Sequence, residues 1–225
     1  MNAPSLLPGD PSELRLRISY TDELGDTPQA DTLERWDVAI LNEEAEVGTM
    51  TFYRVHLDRG MNAVWAMEEE SEELYETAQA LLDPATGSFT EDASGWLPYV
   101  GSALLVMDRV SLDEQWRGHG LGAILATEVI HRLMTGCRAV VCSPGVTDLS
   151  SDRLRNRAEW DRVNAKIARG WERIGFRSYT GTVYLLSPAS SELEDQRESM
   201  RGRLAALGAS WRLAQAVTQS GGGRS

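Results

Sequence analysis

Alternation of apolar and polar residues predicts β-strands in the first half of the chain. Residues 14–20 read LRLRISY, which alternates with a period of two, as in a strand with one buried face. Residues 36–41 and 47–55 carry a similar pattern on either side of a polar turn and predict an antiparallel hairpin. Residues 102–110 are largely apolar, as in a strand that is buried on both faces.

Helical periodicity appears between and after these strands. Apolar residues recur at helical spacing in three segments, residues 61–82, 123–134 and 159–174. Gly175 follows the last of them, where a left-handed C-cap requires glycine. Three more short strands are predicted at residues 138–142, 176–179 and 182–186. This order of elements predicts an α+β fold with a mixed, mostly antiparallel central sheet flanked by helices.

One domain with appended segments accounts for the length of 225 residues. Residues 1–12 contain three prolines and no periodicity, so we expect a flexible terminus there. Residues 13–188 form the predicted domain, with an additional helical segment at about 60–96. A polar C-terminal helix is predicted for residues 189–219, and the glycine-rich residues 220–225 are expected to be disordered.

The net charge of −12 argues against a nucleic-acid partner. It is compatible with a cationic or amine-bearing substrate and, more simply, with the acidic surface that keeps many proteins soluble. No apolar run is long enough for a membrane span, and the first residues do not resemble a secretory signal. We therefore expect no membrane partner and a cytoplasmic location.

The two cysteines and three histidines predict neither a disulfide nor a metal site. Cys137 and Cys142 are five residues apart in one predicted strand, so alternation directs them to opposite faces of the sheet. His56, His119 and His131 lack the spacing of zinc ligands. A structural metal is not expected.

The segment that follows residue 116 carries the candidate chemistry. Glycines at positions 118, 120 and 122 allow backbone torsions that other residues avoid, and they let N–H groups approach a ligand. The predicted helix that follows directs its positive end to the same place, and Arg117 adds a cation that suits phosphate oxygens. The pattern predicts an anion-binding loop, although a tight turn between strand and helix would use the same glycines.

A dinucleotide-binding loop is the competing interpretation, because Gly118, Gly120 and Ala123 have its spacing. That loop follows its strand directly, and an acidic residue ends the next strand. Here residues 112–116 intervene, and the next predicted strand ends at residues 142–143 without an acid. The spacing therefore disfavours a dinucleotide.

Residues 110–122, VSLDEQWRGHGLG, resemble motif A of the GNAT acyltransferases, and residues 164–176 are similar to the same family's second motif, which runs from an asparagine to Gly-Phe. The resemblance covers roughly residues 100–186. It implies a sheet that is splayed between its two middle strands, and acetyl-CoA or another short acyl-CoA as cosubstrate. The helical segment at about 60–96 is then an insertion where the family has a short hairpin.

The resemblance also implies which residues bind the acyl-CoA. Backbone N–H groups near Asp108 and Val110 would bond the pantetheine and polarise the thioester carbonyl. Asn164 would reach the pantetheine amides, unless it is an exposed or capping residue. The pyrophosphate would be held by the loop residues Arg117, Gly118, His119, Gly120, Leu121 and Gly122.

Two positions depart from the family. Trp171 stands where members often have a tyrosine that protonates the leaving thiolate, and Leu104 stands where some have a glutamate base. Asp108 shares a strand face with Leu104 by alternation and is the first candidate base, although a salt bridge with an arginine would explain it as well. Tyr179 and Tyr184 are the candidate acids, unless they only pack in the last strands.

The acceptor pocket is predicted between the insertion and the last strands. Trp65, Trp96 and Tyr99 would line this pocket, unless they belong to the core. The three glutamates at residues 68–70 are second candidates for the base, although such a run at a helix start is usually solvated.

The implied function is direct transfer of an acyl group from acyl-CoA to an amine of a small molecule or a protein. The alternative is a catalytically weak acyl-CoA-binding sensor or interaction module, which the missing tyrosine and glutamate favour. The C-terminal helix packs on its own domain or on a second copy, so the sequence allows a homodimer.

Overall fold

A single mixed sheet forms the centre of the protein in a computed structural model, which describes residues 7–22, 29–98, 100–143 and 157–221. The described strands are β1 Arg15–Tyr20, β2 Leu33–Asn42, β3 Ala45–His56, β4 Ala103–Leu112, β5 Cys137–Cys142, β6 Arg177–Thr180 and β7 Val183–Leu186. Their order in the sheet is β1-β2-β3-β4-β5-β7-β6. Only β4 and β5 run parallel. The α+β class and the mostly antiparallel sheet are confirmed.

Helices cover both faces of the sheet. The described helices are α1 Ala63–Glu70, α2 Glu72–Leu81, α3 Glu91–Trp96, α4 Leu121–Leu133, α5 Arg157–Glu172 and α6 Leu193–Gly221. Leu105 and Met107 of β4 face the apolar layer that contains α4, α5 and α6. Leu104 and Val106 face the opposite layer, which contains α1 and α2. None of the helices in the described part is both long and apolar enough to span a membrane.

The sheet opens between its two parallel strands. β5 pairs with residues 103–107 of β4 and ends at Cys142, whereas β4 continues to Leu112. Beyond Met107, no strand among the described residues pairs with β4 on this side. A gap that exposes the edge of β4 therefore begins at Asp108, as the resemblance to GNAT proteins implies.

A β-bulge at Asp108 interrupts the ladder on the other edge of β4. Thr51 of β3 pairs with Arg109 and Phe52 pairs with Met107, so Asp108 has no partner in β3. A bulge inserts one residue and changes the alternation of faces. Val110 consequently packs in the same layer as Leu105 and Met107, which simple alternation does not predict.

The helix predicted over residues 61–82 is divided into α1 and α2. Ser71 separates them with an extended backbone, at φ −164° and ψ 158°, and its hydroxyl accepts a hydrogen bond from the backbone N–H of Leu74. This N-cap begins α2 in a new direction. The irregular stretch predicted before Trp96 contains the short helix α3.

Both cysteines belong to the same apolar layer, which corrects the prediction that they lie on opposite faces. Ala103 pairs with Cys137 but Leu104 pairs with Ala139, so a second irregularity at this point shifts the alternation of β5. Both thiols are free and buried.

The start of the described chain packs against the last helix, unlike the flexible terminus predicted for residues 1–12. Leu7 is buried, and its carbonyl oxygen accepts a 2.8 Å hydrogen bond from Nε1 of Trp211. Asp10 pairs with Arg212. Residues 1–6 and the tail beyond residue 221 lie outside the described residues, and α6 reaches Gly221.

Candidate functional site

The gap beside β4 leads into a cavity of about 480 Å³. Its walls come from the end of β4, the end of β5, the loop before α4 together with the first turn of α4, and one face of α5. The α5 residues that line it are Val163, Lys166, Ile167, Gly170 and Trp171. Their spacing of three or four residues places them on one side of the helix.

The loop before α4 has the geometry of an anion cradle. Gly118 and Gly120 have φ values of 90° and 79°, which only glycine adopts readily. Gly120 is the N-cap of α4 and supplies no side chain to its first N–H groups. The first N–H groups of α4 therefore have no side-chain acceptor, and they lie with the positive end of the helix dipole at a loop that lines the cavity.

Close packing explains the third glycine of the loop. A Cβ atom on Gly122 would lie 3.4 Å from Cγ1 of Val110, so a larger residue would press on β4. Leu121 is buried and lines the cavity. His119 is half-buried and is not among the residues that line the cavity.

Arg117 connects the loop to the end of β4. Its Nε donates a hydrogen bond of 2.5 Å to the carbonyl oxygen of Leu112. The side chain still lines the cavity and is exposed. Arg117 therefore positions the loop and also brings a positive charge to the cavity.

Asn164 carries a buried acceptor atom that is unsatisfied. Its Oδ1 has no hydrogen-bond partner among the described residues. Its side chain is half-buried and does not line the cavity. A buried polar atom without a partner costs free energy, and a ligand amide would remove that cost. The glycine cradle fits the phosphates of an acyl-CoA, whereas this atom is not part of the cavity lining.

Asp108 lies between the first cavity and a second one of about 380 Å³. The two cavities share Met107, Asp108, Arg109 and Ser143. Burial is the main reason why the pKa of Asp108 lies above its ordinary value; Arg109 opposes the rise and Glu73 adds to it. Among the described residues, Asp108 makes no salt bridge with an arginine. Arg109 affects the pKa of Asp108 through its charge and not through a hydrogen bond.

The second cavity lies between α2 and the turn that joins β6 to β7, which is where the acceptor pocket is predicted. Its lining differs from the predicted one. Glu73 and Glu76 of α2 line it, while the three glutamates at 68–70 do not. Glu70 instead accepts a 2.8 Å hydrogen bond from the hydroxyl of Tyr53.

The predicted aromatic lining of the acceptor pocket is absent from the described cavities. Trp65 and Trp96 are 56% and 54% exposed, so they belong neither to the second cavity nor to the core. Trp96 contacts Tyr179 edge-to-face with ring centroids 5.5 Å apart. Tyr99 lies outside the described residues.

The two candidate acids do not reach either cavity. Tyr179 packs against Trp96, and Tyr184 packs in the apolar layer beside Cys142, its neighbour across the β5–β7 pair. Trp171 is the aromatic residue that lines the first cavity, and its indole N–H is not a useful acid. The structure therefore offers no tyrosine to protonate a leaving thiolate among the residues that line the cavities.

Sequence reasoning missed Lys166, which is the only lysine of the chain and lines the first cavity. Its spacing from Val163 and Gly170 places all three residues on one face of the helix and could have indicated its position. Sequence reasoning also missed Glu73 and Glu76, which lie in the predicted helix and line the second cavity. No group of three or more potential metal ligands occurs in the described part of the chain.

Comparison with known proteins adds little to this picture. No family model matches the chain, and no curated protein matches its sequence significantly. One solved structure, AtaTR bound with AcCoA, aligns with 84% of this chain and 96% of its own, at 12% identity and a TM-score of 0.38. So distant a likeness carries no argument about activity. The strand order and the splayed middle pair are themselves consistent with a GNAT-like fold.

Proposed function

We propose that this protein is an acyl-CoA-dependent N-acyltransferase, which moves an acetyl or another short acyl group from CoA directly to an amine. One observation carries the proposal: Asp108 stands where a cavity with an anion cradle meets a cavity with an acidic wall. A two-substrate transfer requires such a meeting point, because the reacting atoms must come within about 3 Å of each other.

The first cavity suits the acyl-CoA. The N–H groups of the loop at residues 118–122 take the diphosphate, and Arg117 and Lys166 balance its charge. Backbone N–H groups near Asp108 and Val110, on the free edge of β4, take the pantetheine arm in the manner of an added strand. Asn164 on α5 is the proposed partner of the pantetheine amides, and its buried, unsatisfied Oδ1 becomes accessible to them only if α5 moves.

The second cavity suits a small amine. Glu73, Glu76 and Asp108 attract a cation, and a volume of about 380 Å³ accommodates a small molecule or a single side chain. An amine with an ordinary pKa near 10 is almost wholly protonated at pH 7 and enters as the cation. It must then lose a proton before it can attack a thioester.

Asp108 is the proposed acceptor of that proton, directly or through water. The raised pKa of Asp108 makes it a stronger base than an exposed aspartate. As the neutral amine nitrogen attacks the thioester carbonyl carbon, the C–N bond forms and the C–S bond breaks. The nitrogen then releases its second proton to water, and the sulfur takes up a proton from water to leave as CoA thiol. Because a thiol has a pKa near 8.5, water suffices as the proton donor.

A CoA-binding module without useful turnover is the second candidate. The observation that favours it is Trp171, which lines the first cavity in place of an acid while Tyr179 and Tyr184 lie elsewhere. The two functions share the first cavity and differ in what the second one does.

A pair of measurements tests the proposal. A ligand that binds only the folded state at a hundred times its dissociation constant adds about 2.7 kcal/mol to stability, so CoA is expected to raise the melting temperature. Thiol release from acetyl-CoA is then followed over a panel of small amines and lysine peptides. Steady turnover with at least one amine supports the enzyme. Protection by CoA without turnover supports the module, and no protection at millimolar CoA contradicts both.

A further inference from the structure

The long helix α6 lies antiparallel to α4, and its course brings an arginine to the anion cradle. His131 near the end of α4 approaches Glu194 at 3.9 Å, and Glu128, one turn earlier, binds Arg197 and Arg201. At the start of α4, a Cβ atom on Gly120 would lie 3.4 Å from Nη2 of Arg203. The guanidinium of Arg203 thus lies against a residue that lines the first cavity.

Arg203 differs from the arginines around it. Arg197 and Arg201 bind Glu128, and Arg212 binds Asp10. Within the described part of the chain, Arg203 has no ion pair, and its recorded contact is the weak acceptor Sδ of Met200, at 3.8 Å from Nη1. A half-buried cation is thereby held without a counter-charge.

The position of Arg203 makes this lack of a counter-charge unfavourable in the free protein. The start of α4 carries the positive end of the helix dipole, and a cation beside it is repelled. Arg117, Arg109 and Lys166 bring positive charge to the lining of the first cavity, and among the described residues that line it Asp108 is the one carboxylate. In a chain with a net charge of −12, such a local excess of positive charge indicates an anionic ligand.

We infer that Arg203 binds the diphosphate of CoA together with the N–H groups of the loop, so that α6 supplies a cosubstrate-binding residue. The inference rests on the proposed function. It assigns a role to a helix that lies outside the segment resembling GNAT proteins. The planar guanidinium of arginine suits two phosphate oxygens at once, which explains an arginine rather than a lysine here.

Calorimetric titrations with three ligands test this assignment: acetyl-CoA, acetyl-3′-dephospho-CoA and S-acetylpantetheine, which lacks every phosphate. Arg203→Ala is expected to weaken both CoA ligands by about tenfold and to leave S-acetylpantetheine unchanged. Arg203→Lys should recover part of the loss. Arg132→Ala, at the exposed far end of α4, removes the same charge and should change none of the affinities.

Three results would overturn the assignment. They are unchanged acetyl-CoA affinity in Arg203→Ala, an equal loss with S-acetylpantetheine, or a loss confined to the ligand that carries the 3′-phosphate. A melting temperature close to that of the unmodified protein verifies that the variant is folded, and Arg203→Gln replaces it if it is not. If the unmodified protein itself fails to bind acetyl-CoA, the proposed function fails; if it binds and the variants bind equally, only the role of Arg203 fails.

Discussion

Glu128 of α4 accepts two hydrogen bonds from Arg201 of α6, at 2.6 Å and 2.9 Å. Arg197 donates to the same carboxylate at 3.1 Å and 3.3 Å. Burial of Glu128 opposes its ionisation, but the hydrogen bonds from both arginines prevail and lower its pKa from 4.5 to about 2. This ionised carboxylate fastens α6 to the domain and so holds Arg203 beside the cradle.

The first prediction concerns the acid stability of this attachment. A carboxyl whose pKa is lower in the folded state stabilises the fold fully above the unfolded value of 4.5, and the contribution disappears as the pH falls through about 2. Glu128→Gln should therefore cost about 1–3 kcal/mol of unfolding free energy at pH 7, and less at pH 3. Urea unfolding at both pH values measures the difference. Glu198→Gln, an exposed site on α6, is the control, and a pH-independent difference would contradict the role of the charge.

The second prediction separates catalysis from stability at Asp108. Asp108→Asn should lower turnover by about 10²- to 10⁴-fold, with little change in CoA affinity. An acid whose pKa is raised by folding destabilises the fold once it ionises, so the neutral variant should melt at or above the temperature of the unmodified protein at pH 7. Turnover, calorimetric affinity and melting temperature are compared. Lost CoA binding would make Asp108 structural, and unchanged turnover would assign the proton to water or to another carboxylate.

The third prediction uses two glycines with the same positive φ. Gly120 and Gly136 both have φ 79°, at opposite ends of α4, and only Gly120 lines the first cavity. Valine at either position costs about 1–2 kcal/mol of unfolding free energy because of the left-handed backbone. Gly120→Val should also abolish the thermal protection by CoA, whereas Gly136→Val should keep it. Equal protection in the two variants would show that the cradle is not the binding site.

The fourth prediction tests the acidic wall of the second cavity. Glu73→Gln combined with Glu76→Gln should raise KM for a cationic amine by about tenfold and leave kcat nearly unchanged, because attraction of the cation precedes the chemistry. Glu72→Gln is the matched control, since Glu72 is exposed on the same helix and lines neither cavity. Steady-state kinetics at low and high salt provide the readout. An equal effect of Glu72→Gln would place the acceptor elsewhere.

The fifth prediction concerns the two tyrosines of the last strands. Tyr179 and Tyr184 line neither cavity, so replacement of either hydroxyl by hydrogen should change turnover by less than about threefold. The measurement is thiol release by Tyr179→Phe and Tyr184→Phe. A hundredfold loss in either variant, with intact CoA binding, would identify that tyrosine as the acid and would require a movement of its strand.

The fold class and the cradle could be predicted from the sequence because both depend on local rules. Alternation of apolar residues identified the strands, as in residues 14–20, and Gly175 marked the end of a helix with its left-handed φ of 101°. Gly118, Gly120 and Gly122 indicated the loop, since few other residues adopt the positive φ found at Gly118 and Gly120. The second cavity lies between the insertion and the last strands, where the sequence predicts an acceptor pocket.

Tertiary structure decided the rest, because irregularities and long-range packing do not follow from local pattern. The shift beside Cys137 reversed the alternation from which the two cysteines were predicted on opposite faces, and the bulge at Asp108 placed Val110 in the layer of Met107. The second cavity is lined by Glu73 and Glu76, which follow the helix break at Ser71, and not by the glutamates at 68–70. These changes depend on which neighbouring strand or helix packs beside the residue, and that neighbour is distant in sequence.

The sequence by itself determined a mixed sheet with a glycine-rich loop at the start of a helix, since the torsions of glycine and the periodicity of apolar residues are properties of short segments. It did not determine what surrounds that loop. The contact between Gly120 and Arg203 joins residues far apart in the chain, and it exists only because Glu128 and a stripe of apolar residues fasten α6 along α4. Charges are brought together by packing, and packing is decided by the whole chain.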